Sequence, residues 1–195
     1  MQASSFTDAQ AALSLAVSGF EARLGLFTDD GWARPTPCEG WTVADLVKHL
    51  IGGGIMSELL LDGASKEEAM AALFNLDLDG DLRAAFTDAR DRQAAVFARP
   101  AASATLCHHP MRDMPASEFI WLRVRDTMVH TWDLARAIGA DETLDQGLVA
   151  TIWSHVEPVS PMLAASGMFG AGASGNIADD ASAQARVLDA LGRRP

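Results

Sequence analysis

Apolar residues along this chain recur at helical spacing. Residues 7–27 carry Ala11, Leu13, Leu15, Ala16, Phe20, Leu24 and Leu26, a stripe broad enough for a core helix. Pro35, Pro37 and Gly40 mark residues 28–40 as a loop. Thr42 then stands as an N-cap, and Asp45, three residues on, approximates a capping box. The helix it opens runs to Leu61 and ends at Asp62 and Gly63. A short helical piece covers 65–74, and Gly80 with Asp81 introduces another helix over 82–98, stopped by Arg99 and Pro100. Between Pro100 and Pro115 the pattern breaks up into a long connection. Ser117 and Glu118 open a strong helix through Ile138, closed by Gly139. Residues 144–165 read as a helix interrupted at Pro158 and Pro161, 166–180 as a Gly-, Ala- and Ser-rich loop, and 181–191 as a last short helix.

No alternating strand signal of useful length and no internal repeat is visible. The pattern therefore predicts an all-α fold with four longer helices forming a bundle. At 195 residues the chain makes one domain overall, with 1–165 as the bundle and 166–195 as a C-terminal extension packed on it.

Composition narrows the class. Apolar residues at 49% and charged residues at 21% describe a globular chain able to bury a core. A formal net charge of -11 argues against a nucleic-acid partner, since phosphate binding is driven by clustered Lys and Arg. No run of 18 apolar residues appears, so no membrane span is expected. The opening MQASSFTDAQ lacks the basic-then-apolar pattern of a secretory signal, and a cytoplasmic location is expected. Two cysteines, Cys38 and Cys107, are too few and too isolated for a disulfide framework or a CxxC zinc site.

The chemistry concentrates in two helices. Asp126 and His130 lie four residues apart and so stack on one helical face, as two ligands of one metal ion require. His49, on the second amphipathic helix, is a candidate third ligand, and it shares a face with Asp45, Gly52, Gly53 and Met56. Three protein ligands with one position left over is the pattern of a catalytic ion. Periodicity alone equally allows an Asp126–His130 ion-pair network completed by Arg123 or Arg125. Three consecutive glycines, Gly52 to Gly54, cost a helix about 1 kcal/mol each against alanine and need a reason. Close helix contact and space for a ligand both supply one.

Two phrases carry a resemblance. TPCEGWTVADLVKHL (36–50) and DTMVHTWDLARAIG (126–139) resemble the motifs of the DinB-like superfamily of metal-binding four-helix bundles. They look most like its mycothiol-dependent maleylpyruvate isomerase branch, and MFGAGASGN and ALGRR near the end also look familial. The resemblance implies an up-down-down-up bundle that forms a homodimer and binds a divalent metal through His49, Asp126 and His130. One departure stands out. The isomerases resemble a His, Glu, His set and the bacillithiol-transferase relatives three histidines, whereas Asp126 is a shorter carboxylate that draws the ion toward its own helix.

Imidazole and carboxylate ligation suits Zn2+ first, with Ni2+, Fe2+ or Mn2+ as alternatives. The resemblance implies a low-molecular-weight thiol cosubstrate bound as thiolate, acting on a small electrophilic substrate by transfer or isomerisation. A hydrolase using metal-bound water, or a non-catalytic binding or sensing module, stay open. Arg123 reads first as a structural or solvated arginine and otherwise as a receptor for an anionic substrate group, while Asp133 and Asp45 are candidates to support the ligands from behind, Asp133 equally able to cap or to pair with Arg136. His108 and His109 point apart and read as loop histidines, with His109 the one pocket candidate of the two. His155 reads as a surface residue, Cys38 as structural, and the five tryptophans as packing anchors, with Trp41 a hydrophobic staple beside the Thr42 cap.

Overall fold

The computed structural model describes residues 5–166, 172–178 and 180–195. Four long helices form the frame: α1 (Phe6–Leu24), α2 (Val43–Leu61), α4 (Leu82–Phe97) and α5 (Ala116–Ile138). A short α3 (Lys66–Phe74) follows α2. Beyond α5 come α6 (Gln146–Val156), a 3-10 turn (Glu157–Val159), α7 (Ser160–Ser166) and α8 (Ala183–Ala190). In the bundle α1 packs chiefly on α5 and α2 on α4, while α8 rests on α6. No described helix is long and apolar enough to cross a membrane.

The ends of these helices follow from local chemistry. Thr42 caps α2 by accepting from the Asp45 amide, while Asp45 Oδ2 accepts from the Thr42 amide at 2.9 Å, a complete capping box. Ser5 with Asp8 and Ser65 with Glu68 do the same for α1 and α3. Gly139 ends α5 in the left-handed region at φ 72°, where a residue without Cβ is favoured. α5 begins at Ala116 behind Pro115, one residue earlier than the Ser117 start expected, and without a side-chain cap. The helix expected over 144–165 divides at Glu157, because Pro158 has no N–H to continue the ladder. Of the expected loop over 166–180 and the familial phrase within it, 167–171 and 179 lie outside the described residues.

The long connection expected between Pro100 and Pro115 contains a strand pair for which no strand signal was expected. β1 (Leu106–His109) and β2 (Arg112–Pro115) pair antiparallel, with Cys107 opposite Met114. Each strand has four residues, too few for alternation to declare itself, and only Cys107 and Met114 point into the core. Burial pushes the Cys107 thiol up to about 11.

The core is a continuous apolar cluster through the bundle, with Phe20, Leu46, Ile51, Phe97, Phe119, Ile120 and Trp132 wholly or almost wholly buried. Of the tryptophans expected as anchors, Trp132 is the deeply buried one; Trp32, Trp41, Trp121 and Trp153 pack against the cluster from the side. Among the described residues no buried side-chain nitrogen or oxygen lacks a hydrogen-bond partner.

Gly54 explains how α2 and α4 approach. A Cβ there would stand 3.0 Å from the Ala89 carbonyl oxygen and 3.2 Å from the Ala89 Cβ, so the α4 backbone would have to move. Gly54→Val should therefore lower unfolding stability by about 1–3 kcal/mol in a denaturant titration, with helix content retained.

Candidate metal centre

α5 places Arg123, Asp126, His130 and Asp133 on one stripe at spacings of three and four residues. α2 brings His49 across to them, and the loop before α2 brings Cys38. The result is two groups of donors that share His130: His49, Asp126 and His130, and Cys38, His130 and Asp133, each with ligand atoms within 4.8 Å of one another.

The first group is the one expected. His49 Nε2 lies 3.2 Å from each Asp126 carboxylate oxygen. His130 Nε2 lies 3.4 Å from Asp126 Oδ1. Around a tetrahedral zinc ion with ligands at about 2.0–2.1 Å, neighbouring donors stand roughly 3.3 Å apart. The two distances about Asp126 match that spacing, and all three donors lie within 4.8 Å of one another. The His49 and His130 rings meet edge to face with centroids 4.9 Å apart, and the Trp41 ring lies 5.1 Å from His49 and 6.0 Å from His130. Trp41, expected beside the cap, thereby also closes one side of the centre.

The second group already has a cation. Arg193, from the tail after α8, grips the wholly buried Asp133 with both oxygens engaged: Nε donates to Oδ1 at 3.1 Å and Nη2 to Oδ2 at 2.6 Å. Arg193 Nη2 also donates to Cys38 Sγ at 3.3 Å, and the Cys38 thiol donates to Asp133 Oδ2 at 3.4 Å. A metal held by Cys38 and Asp133 would have to displace a guanidinium from a buried carboxylate, which is strongly unfavourable. His130 Nδ1 donates to Asp133 Oδ2 at 2.9 Å, leaving Nε2 for the first group. This is the carboxylate–histidine arrangement that orients a metal-binding imidazole.

Asp133 thus lies behind His130, bonded to Nδ1 and Arg193. Arg123 takes the structural, ion-pairing part expected of it as one alternative and not that of an anion receptor. It is buried and spent: Nη1 donates to Asp126 Oδ2 at 2.7 Å, Nε to Gln93 Oε1 at 3.0 Å and Nη2 to the Leu50 carbonyl at 3.5 Å. Ser57 donates to the same Gln93 oxygen at 3.0 Å. Asp45 is likewise corrected, because its carboxylate is used by the Thr42 cap and joins neither donor group. Cys38, read as structural with no base near it, has His130, Asp133 and Arg193 around it. Sequence spacing held no signal for this, since 155 residues separate Cys38 from Arg193. His108 pairs with Asp113 across the hairpin at 3.0 Å, and His155 packs edge-on against Trp121.

A cavity of about 710 Å³ opens beside His49 and Asp126. The glycine run has three separate reasons. Gly52 borders this cavity, Gly54 meets α4, and a Cβ on Gly53 would occupy the space of the Arg123 guanidinium.

The charges are strongly coupled. Burial opposes ionisation of Asp126, yet His130, His49 and Arg123 outweigh it and hold its carboxyl well below the ordinary range. Burial also opposes a charged His130, but Asp126, Asp133 and Cys38 hold its pKa well above the ordinary value. Asp133 is kept low, against burial, by His130 and Arg193.

Comparison with known proteins agrees with this arrangement of helices. The family model described as "Mycothiol maleylpyruvate isomerase N-terminal domain" matches residues 13–135, and the chain belongs to that family. Two uncharacterized proteins of Mycobacterium tuberculosis, MT0763 (strain CDC 1551 / Oshkosh) and Rv0738 (strain ATCC 25618 / H37Rv), are each 35% identical over 133 residues. That span covers 68% of this chain and 69% of each relative. Crystal structures of the mycothiol-dependent maleylpyruvate isomerase and of a mutant of it superpose with a TM-score of 0.63 at 20% identity. They cover 78% of this chain and 70% of theirs, which establishes a shared fold.

Two outcomes follow from this geometry. Asp133→Asn should weaken zinc binding by about 10–100-fold in a chelator competition, because His130 loses the carboxylate charge that orients it and raises its basicity. The raised pKa of His130 means that the metal-free imidazole carries a proton at neutral pH. A metal needs that nitrogen bare, so binding should release about one proton, and affinity should fall as the pH is lowered. Calorimetry in two buffers of different ionisation enthalpy measures the release.

Proposed function

We propose that this protein binds a divalent metal through His49, Asp126 and His130 and joins a low-molecular-weight thiol to a small electrophile. The observation that carries the reading is the spacing of the three donors, 3.2 and 3.4 Å about Asp126, at the edge of a ligand-sized cavity. Membership of a family named for a mycothiol-dependent isomerase supports the thiol. A divalent ion in the centre would favour the deprotonated form of a thiol cosubstrate and hold its sulfur for attack.

The chain's own residues have separable parts in this scheme. Asp133 and Arg193 fix the His130 ring so that Nε2 faces Asp126. Arg123 keeps Oδ2 of Asp126, which leaves Oδ1 toward both histidines. His49, more exposed than His130, stands on the cavity side, so the substrate approaches past it. Trp41 covers the two imidazoles and excludes water from that face. The shorter carboxylate at Asp126 sets the chain apart from the glutamate-bearing isomerases, and transfer is preferred over isomerisation on that ground.

The test uses zinc-loaded protein with mycothiol and 1-chloro-2,4-dinitrobenzene. Transfer forms a C–S bond at the ring carbon and breaks C–Cl, with chloride leaving and the thiol proton passing to buffer. Product should form above the uncatalysed rate only with zinc. His49→Ala should abolish the enhancement and weaken zinc binding at least about 100-fold. Equal rates with and without zinc, or full zinc retention in that variant, would sink the proposal.

A further inference from the structure

The cavity beside the donor group has a chemistry of its own. Its walls come from α2, α3, the 76–79 segment, the hairpin and α5. Met56, Met70, Leu73, Leu78, Met111 and Leu122 give it apolar walls, three of them methionines, whose unbranched side chains adapt to irregular shapes. Its volume of about 710 Å³ is that of a site for a drug-sized molecule. At Gly52 a Cβ would stand 3.5 Å from Leu73 Cδ2, so a larger side chain there would extend into the space between α2 and α3.

Charge along the lining is balanced. Lys48, Arg123 and Arg125 face Asp77, Asp79 and Asp126, three cations against three carboxylates. Arg123 is committed to Asp126, Gln93 and the Leu50 carbonyl, and so offers no free fork to a ligand carboxylate. Asp77 and Asp79 add negative charge to the lining and disfavour a second carboxylate there. A carboxylate set against the methionine and leucine walls would lose its hydration there.

We infer that this cavity receives an uncharged alkyl or aryl group and discriminates against dicarboxylates. The identification of that group as part of the electrophile rests on the thiol-transfer reading; its binding does not. The apolar body lies against the methionine and leucine walls, with its reactive end toward His49 and Asp126.

Nile red, an uncharged apolar dye, tests this in metal-free and zinc-loaded protein, with zinc content measured in the same samples. Saturable fluorescence enhancement is expected in both forms. Naphthalene should displace the dye and adipate should not. Gly52→Leu, which fills the space, and Leu73→Asp, which charges the wall, should each weaken dye binding by about tenfold or more. Circular dichroism checks that each variant is folded, and Leu73→Asp carries the test if Gly52→Leu does not fold. Unchanged dye affinity in the folded variants, or displacement by adipate at lower concentration than by naphthalene, would overturn the inference. Loss of zinc or of thiol transfer with dye binding intact would overturn only the metal reading. Loss of dye binding in wild-type protein that retains zinc would overturn only this one.

Discussion

The centre depends on an alternation of charge along one face of α5. Arg123, Asp126, His130 and Asp133 follow one another at helical spacing, and Arg193 from the tail closes the far end. Each group is neutralised by the next: Arg123 by Asp126 at 2.7 Å, His130 by Asp133 at 2.9 Å, and Asp133 by Arg193 at 2.6 Å. Buried ions of this kind are tolerated only when every partner is present, because removing one leaves its neighbour uncompensated in a low-dielectric interior. The ladder therefore constrains elements far from α5 in sequence.

Two of those constraints are visible in the packing. Arg123 can lie flat against α2 only because Gly53 has no Cβ, and Gln93 with Ser57 holds its other edge. The tail after α8 must dock so that Arg193 reaches Asp133 and Cys38. α8 packs on α6, with Val187, Leu188 and Leu191 fully buried, and this apolar contact delivers the guanidinium to its place. Hydrophobic burial thus positions the ionic end of the ladder, and the ladder in turn leaves His130 Nε2 free for chemistry.

The elements most legible in the sequence were those whose causes are local. The Thr42–Asp45 box, the Gly139 stop and the Asp126–His130 stacking each depend on residues within one turn, and the spacing alone implies them. His49 was tied to that pair by motif resemblance, since nothing in its periodicity says which helix α2 faces. The roles of Cys38 and Arg193 exist only in the tertiary arrangement. The ion pair of Arg123 with Asp126 is legible from their spacing, whereas its partners Gln93 and Leu50 and the space at Gly53 are not adjacent to it in sequence. The hairpin was missed for a different reason: two four-residue strands closed by Pro110 and Met111 carry too short a pattern to separate from a loop.

The aspartate at position 126 acquires a different meaning in this setting. From spacing alone it is a short carboxylate with limited reach. In the structure Arg123 lies immediately behind it and takes Oδ2, while Oδ1 stands at 3.2 and 3.4 Å from the two imidazole nitrogens. A longer side chain on the same backbone would carry its carboxylate past Arg123 or into the space between His49 and His130. Arg123 cannot follow, because Gln93 and the Leu50 carbonyl hold it and α2 lies directly over it at Gly53. Asp126, Arg123, Gly53 and Gln93 thus form one geometric unit. The short carboxylate is matched to the arginine behind it, and both are matched to the missing side chain on α2.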